Sequence, residues 1–363
     1  MTAPVNPSVA GLQPYKPGKP IEEVARELGI DDVIKLASNE NPRGPGPLVR
    51  ERIAGAFDEL SRYPDGSGYR LKLALAREHD IEPNRITLGN GSNDVLELAA
   101  KMALEPNLEG IMSQHGFVVY YLAVTGCGGR LVTVPARAYG ADTDGIVDAL
   151  GDRTRIVFLA NPNNPTGTWL GEGELTGLLD RVPERVWVVL DEAYLEYVEA
   201  PGYPDGRALL DRYPNLIVTR TFSKIYGLAS LRVGYALSSP LAADLMNRAR
   251  QPFNVNSLAL AAAVAALEDR EFVRTSRDLN RTGMAQLTAG LDALGLARIP
   301  SAGNFVTVDL DRDPQPVFQA MLARGVIVRP VAEYGLPTHV RVTVGLPEEN
   351  SRFLKVLAEA IRE

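Results

Sequence analysis

The order of the chain predicts an α/β fold: a large, mostly parallel sheet domain followed by a smaller α+β domain. Near-continuous apolar strands alternate with helical stretches from about residue 31 to about residue 255. Clusters of polar residues fall at the carboxyl ends of those strands, which is where open α/β sheets bind ligands. After Pro252 the pattern changes to two helices and then short alternating strands. A chain of 363 residues is long enough for two such units.

The first 20 residues hold five prolines and two glycines and read as an extended arm. Ile21 to Leu28 follows as a short helix and Ile34 to Ala37 as a brief strand. A helix precedes the turn Ser61-Arg62-Tyr63-Pro64-Asp65-Gly66, and Leu71 to His79 forms another. Arg85 to Leu88 is a strand, and Gly89-Asn90-Gly91-Ser92-Asn93-Asp94 then opens a helix over Val95 to Leu104. Strands follow at Gly110–Met112, Arg130–Val134, Thr154–Ala160, Val186–Leu190, Asn215–Thr219 and Val233–Leu237, with a helix at Glu172–Leu179. The apolar runs among them suit a sheet covered on both faces. Leu258–Leu267 and Phe272–Leu294 are helices; Phe305–Leu310, Val326–Arg329 and Val340–Val344 are strands; Ser351–Ile361 closes the chain. The expected division is an arm over 1–30 packed on the small domain, a large domain over 31–255 and a small domain over 256–363.

Composition narrows the function. A net charge of −7 argues against a nucleic-acid or acidic-membrane surface, so any anion site must be built locally. One cysteine, Cys127, allows no internal disulfide and fits a reducing compartment. His79, His115 and His339 have no zinc-ligand spacing. The proline-rich start does not read as a signal peptide, and the apolar stretch Leu258–Leu267 is far short of the ~20 residues a membrane helix needs. A cytoplasmic, soluble protein is expected.

The chemistry concentrates in Thr221-Phe222-Ser223-Lys224-Ile225-Tyr226-Gly227, followed by Leu231-Arg232-Val233-Gly234. A lysine held between buried strands is costly as a charge, so its amine becomes nucleophilic. Hydroxyls and an arginine close to it suit a phosphate. Strand, glycine turn and helix start at Gly89–Asp94 would present backbone N–H groups to an anion, although Ser92, Asn93 or Asp94 could equally cap that helix. Asp191 comes directly after four apolar residues, an expensive place for an acid without a partner.

These stretches, with Leu36-Ala37-Ser38-Asn39-Glu40-Asn41-Pro42, Arg62-Tyr63-Pro64, Asn163-Asn164-Pro165-Thr166-Gly167, Asp191-Glu192-Ala193-Tyr194 and Val340-Arg341-Val342-Thr343-Val344-Gly345, make a recognisable set in order. The chain resembles the fold-type-I pyridoxal 5'-phosphate (PLP)-dependent aminotransferases along essentially its whole length, and within them the branch that transaminates histidinol phosphate. The resemblance implies that Lys224 joins the cofactor and then shuttles the proton, and that Asp191 pairs with the pyridine nitrogen. Asn164 and Tyr194 would bind the ring's 3′ oxygen. Thr221, Ser223, Arg232 and the N–H groups of Ser92 and Asn93 would hold the phosphate, with Tyr63 reaching it from the other subunit of a homodimer. Phe117 would stack on the ring, in a stretch that departs from the family's proline-rich pattern. Arg341 would bind the substrate's anion, helped by Arg329 and Tyr15, with Asn39 and Glu40 close to the substrate. His115 reads as a surface loop residue. The implied reaction exchanges an amino group between histidinol phosphate and 2-oxoglutarate. An aromatic-amino-acid aminotransferase, a related PLP decarboxylase or racemase, and a non-catalytic binding module stay open at this point.

Overall fold

The computed structural model describes residues 5–13 and 18–363. A seven-stranded sheet holds, from one edge, residues 86–89, 234–238, 216–221, 187–191, 154–160, 109–113 and 130–134. The last five run parallel to one another; only 234–238 is reversed, pairing antiparallel with both of its neighbours. Successive residues of a strand point to opposite faces. The apolar runs therefore feed two cores at once. Val188, Leu190, Val157, Leu159, Leu216 and Val218 join one cluster, while Val189, Ile156, Phe158 and Ile217 join another beneath the opposite face.

The carboxyl-terminal part is a four-stranded antiparallel sheet ordered 329–330, 339–343, 305–309 and 298–299. Its core also takes apolar residues from the long helix Arg270–Ala293 and the closing helix Pro347–Ala360.

Four expectations change. The run read as one strand over Val326–Arg329 divides: Val326–Ile327 pairs in parallel with Ile34–Lys35, while Arg329–Pro330 joins the antiparallel sheet. Ile34–Lys35 and Leu36 thus pack with the carboxyl-terminal residues, not with the large sheet. Ser257–Glu268, read as part of the small unit, buries Ala259, Ala262, Ala263 and Ala266 in the core of the large one. Its mean composition is apolar all round, so periodicity alone could not say which neighbour it serves. The arm is not wholly extended, because Pro7–Ala10 is a short helix with Asn6 Oδ1 accepting from Ser8 N.

Candidate active site

One cavity of about 170 Å³ opens at the carboxyl ends of the parallel strands. Lys224, Asp191, Tyr194, Asn164, Thr221, Ser223, Arg232, Ser92, Asn93, Phe117, Asn39, Arg329 and Arg341 all line it. They come from strand ends, a helix start and turns scattered over about 300 residues, and the sheet topology gathers them. Glu40 is not in the wall; its carboxylate pairs with Lys35 Nζ at 3.0 Å. Tyr63 is not in the wall either: it is 83% exposed and stacks on Phe253, ring centroids 4.9 Å apart. Tyr15 lies outside the described residues.

Lys224 Nζ donates to the carbonyl of Ser38 at 3.2 Å and lies 5.5 Å from the centre of the Tyr194 ring. Burial, helped by the positive charge of Arg341, pulls its amine down to about 8. A useful fraction is therefore neutral near pH 8, as a nucleophile requires.

Asp191 ends its strand with the side chain buried. Tyr120 Oη donates to Oδ2 at 2.8 Å, while Oδ1 is buried and accepts no hydrogen bond. Burial pushes the carboxyl above its ordinary value, against the pull of the Tyr120 hydrogen bond. An unpaired buried carboxylate oxygen costs free energy unless something arrives to use it.

The other end of this wall is an anion cradle. Ser92–Ala103 has Gly91 at its N-cap and no side-chain cap, so the helix start keeps its N–H groups for a ligand. Asp94 Oδ2 instead accepts from Asn90 N and Asn254 Nδ2. Arg232 lies over Gly91 so closely that a Cβ there would come within 2.3 Å of its Nη2, and Gly91 has a φ of +85°. A Cβ on Gly234 would meet Ser92 N at 2.4 Å. Arg232 itself takes a left-handed φ of 55°, fixed by bonds from Nη1 to Ala229 O at 3.0 Å and to Ser223 Oγ at 3.3 Å. Ser223 N in turn donates to Thr221 Oγ1 at 3.1 Å.

Arg341 donates to Asn164 Oδ1 and, at 2.7 Å, to Ala37 O, with its guanidinium 5.5 Å from the Phe305 ring centre. Asn39, at φ 56°, donates through Nδ2 to Tyr194 Oη at 2.9 Å, and its backbone N donates to Thr343 Oγ1 at 2.9 Å. The carboxyl-terminal sheet is thereby tied directly to the cavity floor.

His115 is not on the surface. It is 5% exposed, its Nδ1 bonds the Tyr334 carbonyl at 2.6 Å, and its ring lies against Tyr139. Tyr120, Tyr334, Ser38, Ala160, Pro162 and Ala193 also line the cavity and were not singled out from the sequence. Tyr120 packs edge-on against Phe117, ring centroids 5.9 Å apart.

The model for the family "Aminotransferase class I and II" matches residues 31–361. The chain belongs to this family. It is 57% identical over 357 residues to histidinol-phosphate aminotransferase 2 of Pseudomonas fluorescens, covering 98% of this chain and 96% of the relative. It is also 57% identical to the protein of that name from Pseudomonas aeruginosa, covering 98% and 97%. A crystal structure of histidinol-phosphate aminotransferase from Sinorhizobium meliloti in complex with pyridoxal-5'-phosphate superposes with a TM-score of 0.92 at 31% identity, covering 100% of this chain and 98% of that one. The family implies PLP, and the residues present fit it: an orphaned acid oxygen suits a protonated ring nitrogen, and the cradle at Gly91, Ser92 and Arg232 suits a phosphate.

Proposed function

We propose that this aminotransferase moves an amino group between histidinol phosphate and 2-oxoglutarate, a step of histidine biosynthesis, as a cytoplasmic homodimer. The observation that carries the reading is the pairing, in one cavity, of an amine lowered to about 8 with a buried acid that has one unused oxygen.

PLP, when bound, supplies a protonated ring that draws negative charge away from the carbon losing its proton. Lys224 would provide the amine that holds the cofactor; once released, its Nζ would take the proton from the amine-bearing carbon of the substrate and return it on the far side of the substrate nitrogen. Asp191 Oδ1 would accept from the ring N–H, and its negative charge would favour the protonated ring. Tyr120 keeps Oδ2 occupied, so the acid presents a single oxygen. Asn164, whose Oδ1 accepts from Arg341, offers Nδ2 to the 3′ oxygen, together with the Tyr194 hydroxyl. Phe117 stacks on the ring. Thr221, Ser223, Arg232 and the Ser92 and Asn93 N–H groups hold the phosphate, so that the ring stays in place when Lys224 lets go.

Arg341 and Arg329 receive the anionic end of either substrate, since a guanidinium pairs with phosphate or carboxylate in a fork geometry. Asn39, also in the wall, lies close to that end. Tyr63 reaches the phosphate of the partner's cofactor; its 83% exposure, and that of Phe57, Leu60 and Tyr69 at more than half each, support a covered face in the dimer.

A donor panel read by the absorbance of the bound cofactor tests the reading. Histidinol phosphate is expected to convert the cofactor to its amino form at far lower concentration than phenylalanine. A preference for phenylalanine makes the enzyme an aromatic aminotransferase, and carbon dioxide or racemised product without keto product ends the transamination reading.

A further inference from the structure

Arg329 and Arg341 are Cα partners across antiparallel strands, and both line the cavity. Residues so opposed project to one face with Cβ atoms about 4.5–5.5 Å apart. Two positive groups at that spacing make a strong anion site and also repel each other. A carboxylate of the chain already sits on one of them: Arg329 Nη2 donates to Glu333 Oε1. Glu333 lies in the short turn Ala332–Tyr334, beside the Tyr334 that forms cavity wall. The Glu333 side chain is 40% exposed and that of Arg329 only 10%, so the acid reaches in from the rim to a guanidinium that belongs to the interior.

We infer that Glu333 is a specificity-determining residue: its carboxylate acts as a built-in competitor on Arg329 and weakens the cavity's hold on ligand anions, most of all on doubly charged ones. This rests on Arg329 and Arg341 being the anion-binding end. A phosphate monoester carries about −1.5 to −2 at pH 7, against −1 for the carboxylate of a keto acid. The repulsion from a fixed negative charge scales with the charge that approaches it. Glu333 thus narrows the gap between the two anions that one pocket must accept in alternate half-reactions. Without it, the phosphorylated partner would bind too tightly relative to the keto acid.

Glu333→Gln removes the charge while keeping an oxygen that can accept from Arg329, so guanidinium placement is preserved. Titration calorimetry on wild-type and E333Q holoenzyme, with inorganic phosphate and with the monocarboxylate propionate as probes, reads the effect directly. Phosphate is expected to bind about tenfold tighter in E333Q, equivalent to about 1.4 kcal/mol, and propionate, with a single charge, about threefold tighter. The gain shrinks as salt is raised, because a charge at a rim is screened. In steady state, KM for the phosphorylated amine falls and kcat holds. Phosphate affinity unchanged or weakened in E333Q, or both probes shifted by one factor, overturns the inference. Should the wild type turn over no phosphorylated amine while E333Q still tightens phosphate, the substrate reading fails and the role of Glu333 stands.

Discussion

Asp191 and Glu192 are adjacent, both carboxylates are buried, and they do opposite jobs. Glu192 is fully engaged: Oε2 accepts from Arg220 Nε at 3.0 Å and Nη2 at 2.7 Å, and Oε1 accepts from Gly206 N at 2.8 Å. Arg220 also reaches Asp205 at 2.6 Å, and His79 beside it is driven down to about 3 by burial and by the Arg220 charge, so it stays neutral. Every charge there has its counter-charge inside the protein. Asp191 faces the other side of the strand end, into the cavity, with one oxygen paired and one left over. A satisfied buried acid holds the fold; an unsatisfied one waits for a ligand.

The contrast breaks most sharply by substitution. Asp191→Asn is expected to lower kcat by about 10²–10³-fold or more, the scale of losing one preorganised electrostatic group. The apo-protein should melt no lower than wild type, because a costly buried charge has gone. A variant with normal kcat would remove Asp191 from the mechanism. Glu192→Ala reverses the pattern: it leaves the buried Arg220 with Asp205 alone and costs about 3 kcal/mol of stability, while the folded fraction keeps kcat within about tenfold. An unchanged melting temperature would show that Glu192 is not structural.

The pH dependence sharpens the comparison from the lysine side. Burial sets the folded Lys224 amine at about 8, below its unfolded value of 10.5. Between those two values the unfolded chain binds more protons, so this group adds stability as pH rises and adds none below about 8. Capture of PLP by the apo-protein is accordingly expected to speed up with pH around a midpoint near 8; a midpoint near 10 would contradict the buried setting. The smallest effect belongs to Tyr120→Phe. Losing one hydrogen bond to a charged group costs about 1.5–3 kcal/mol where it matters, so kcat should fall about 10–100-fold, with a shifted absorbance profile of the bound cofactor against pH. A loss of stability with kcat and spectrum intact would make Tyr120 a packing residue.

How much of this was legible in the sequence depended on whether the signal was local. The strands of the large sheet were readable because both faces are covered, which leaves uninterrupted apolar runs such as 156–159 and 188–190. Lys224, Asp191 and Arg232 sit on strand-end turns whose residue types announce chemistry. The helices Thr143–Asp148, Pro240–Ala249 and Pro314–Leu322 were passed over, although each starts with a cap: Asp142, Ser239 and Asp313, the last two followed by proline. The pairing of Ile34–Lys35 with Val326–Ile327 joins residues some 290 positions apart, and no local pattern specifies it. His115 was read as exposed because its neighbours are turn residues; what buries it is Tyr334 and Tyr139, from distant loops. Tyr120 was hidden for a different reason: an aromatic on an apolar helix reads as core, and only its hydroxyl makes it part of the site.

Borohydride treatment of the holoenzyme, followed by peptide mass mapping, tests the central claim most directly. The account predicts one pyridoxyl group fixed on Lys224 and none on any other lysine. A pyridoxyl group fixed elsewhere, or none fixed at all, would contradict it.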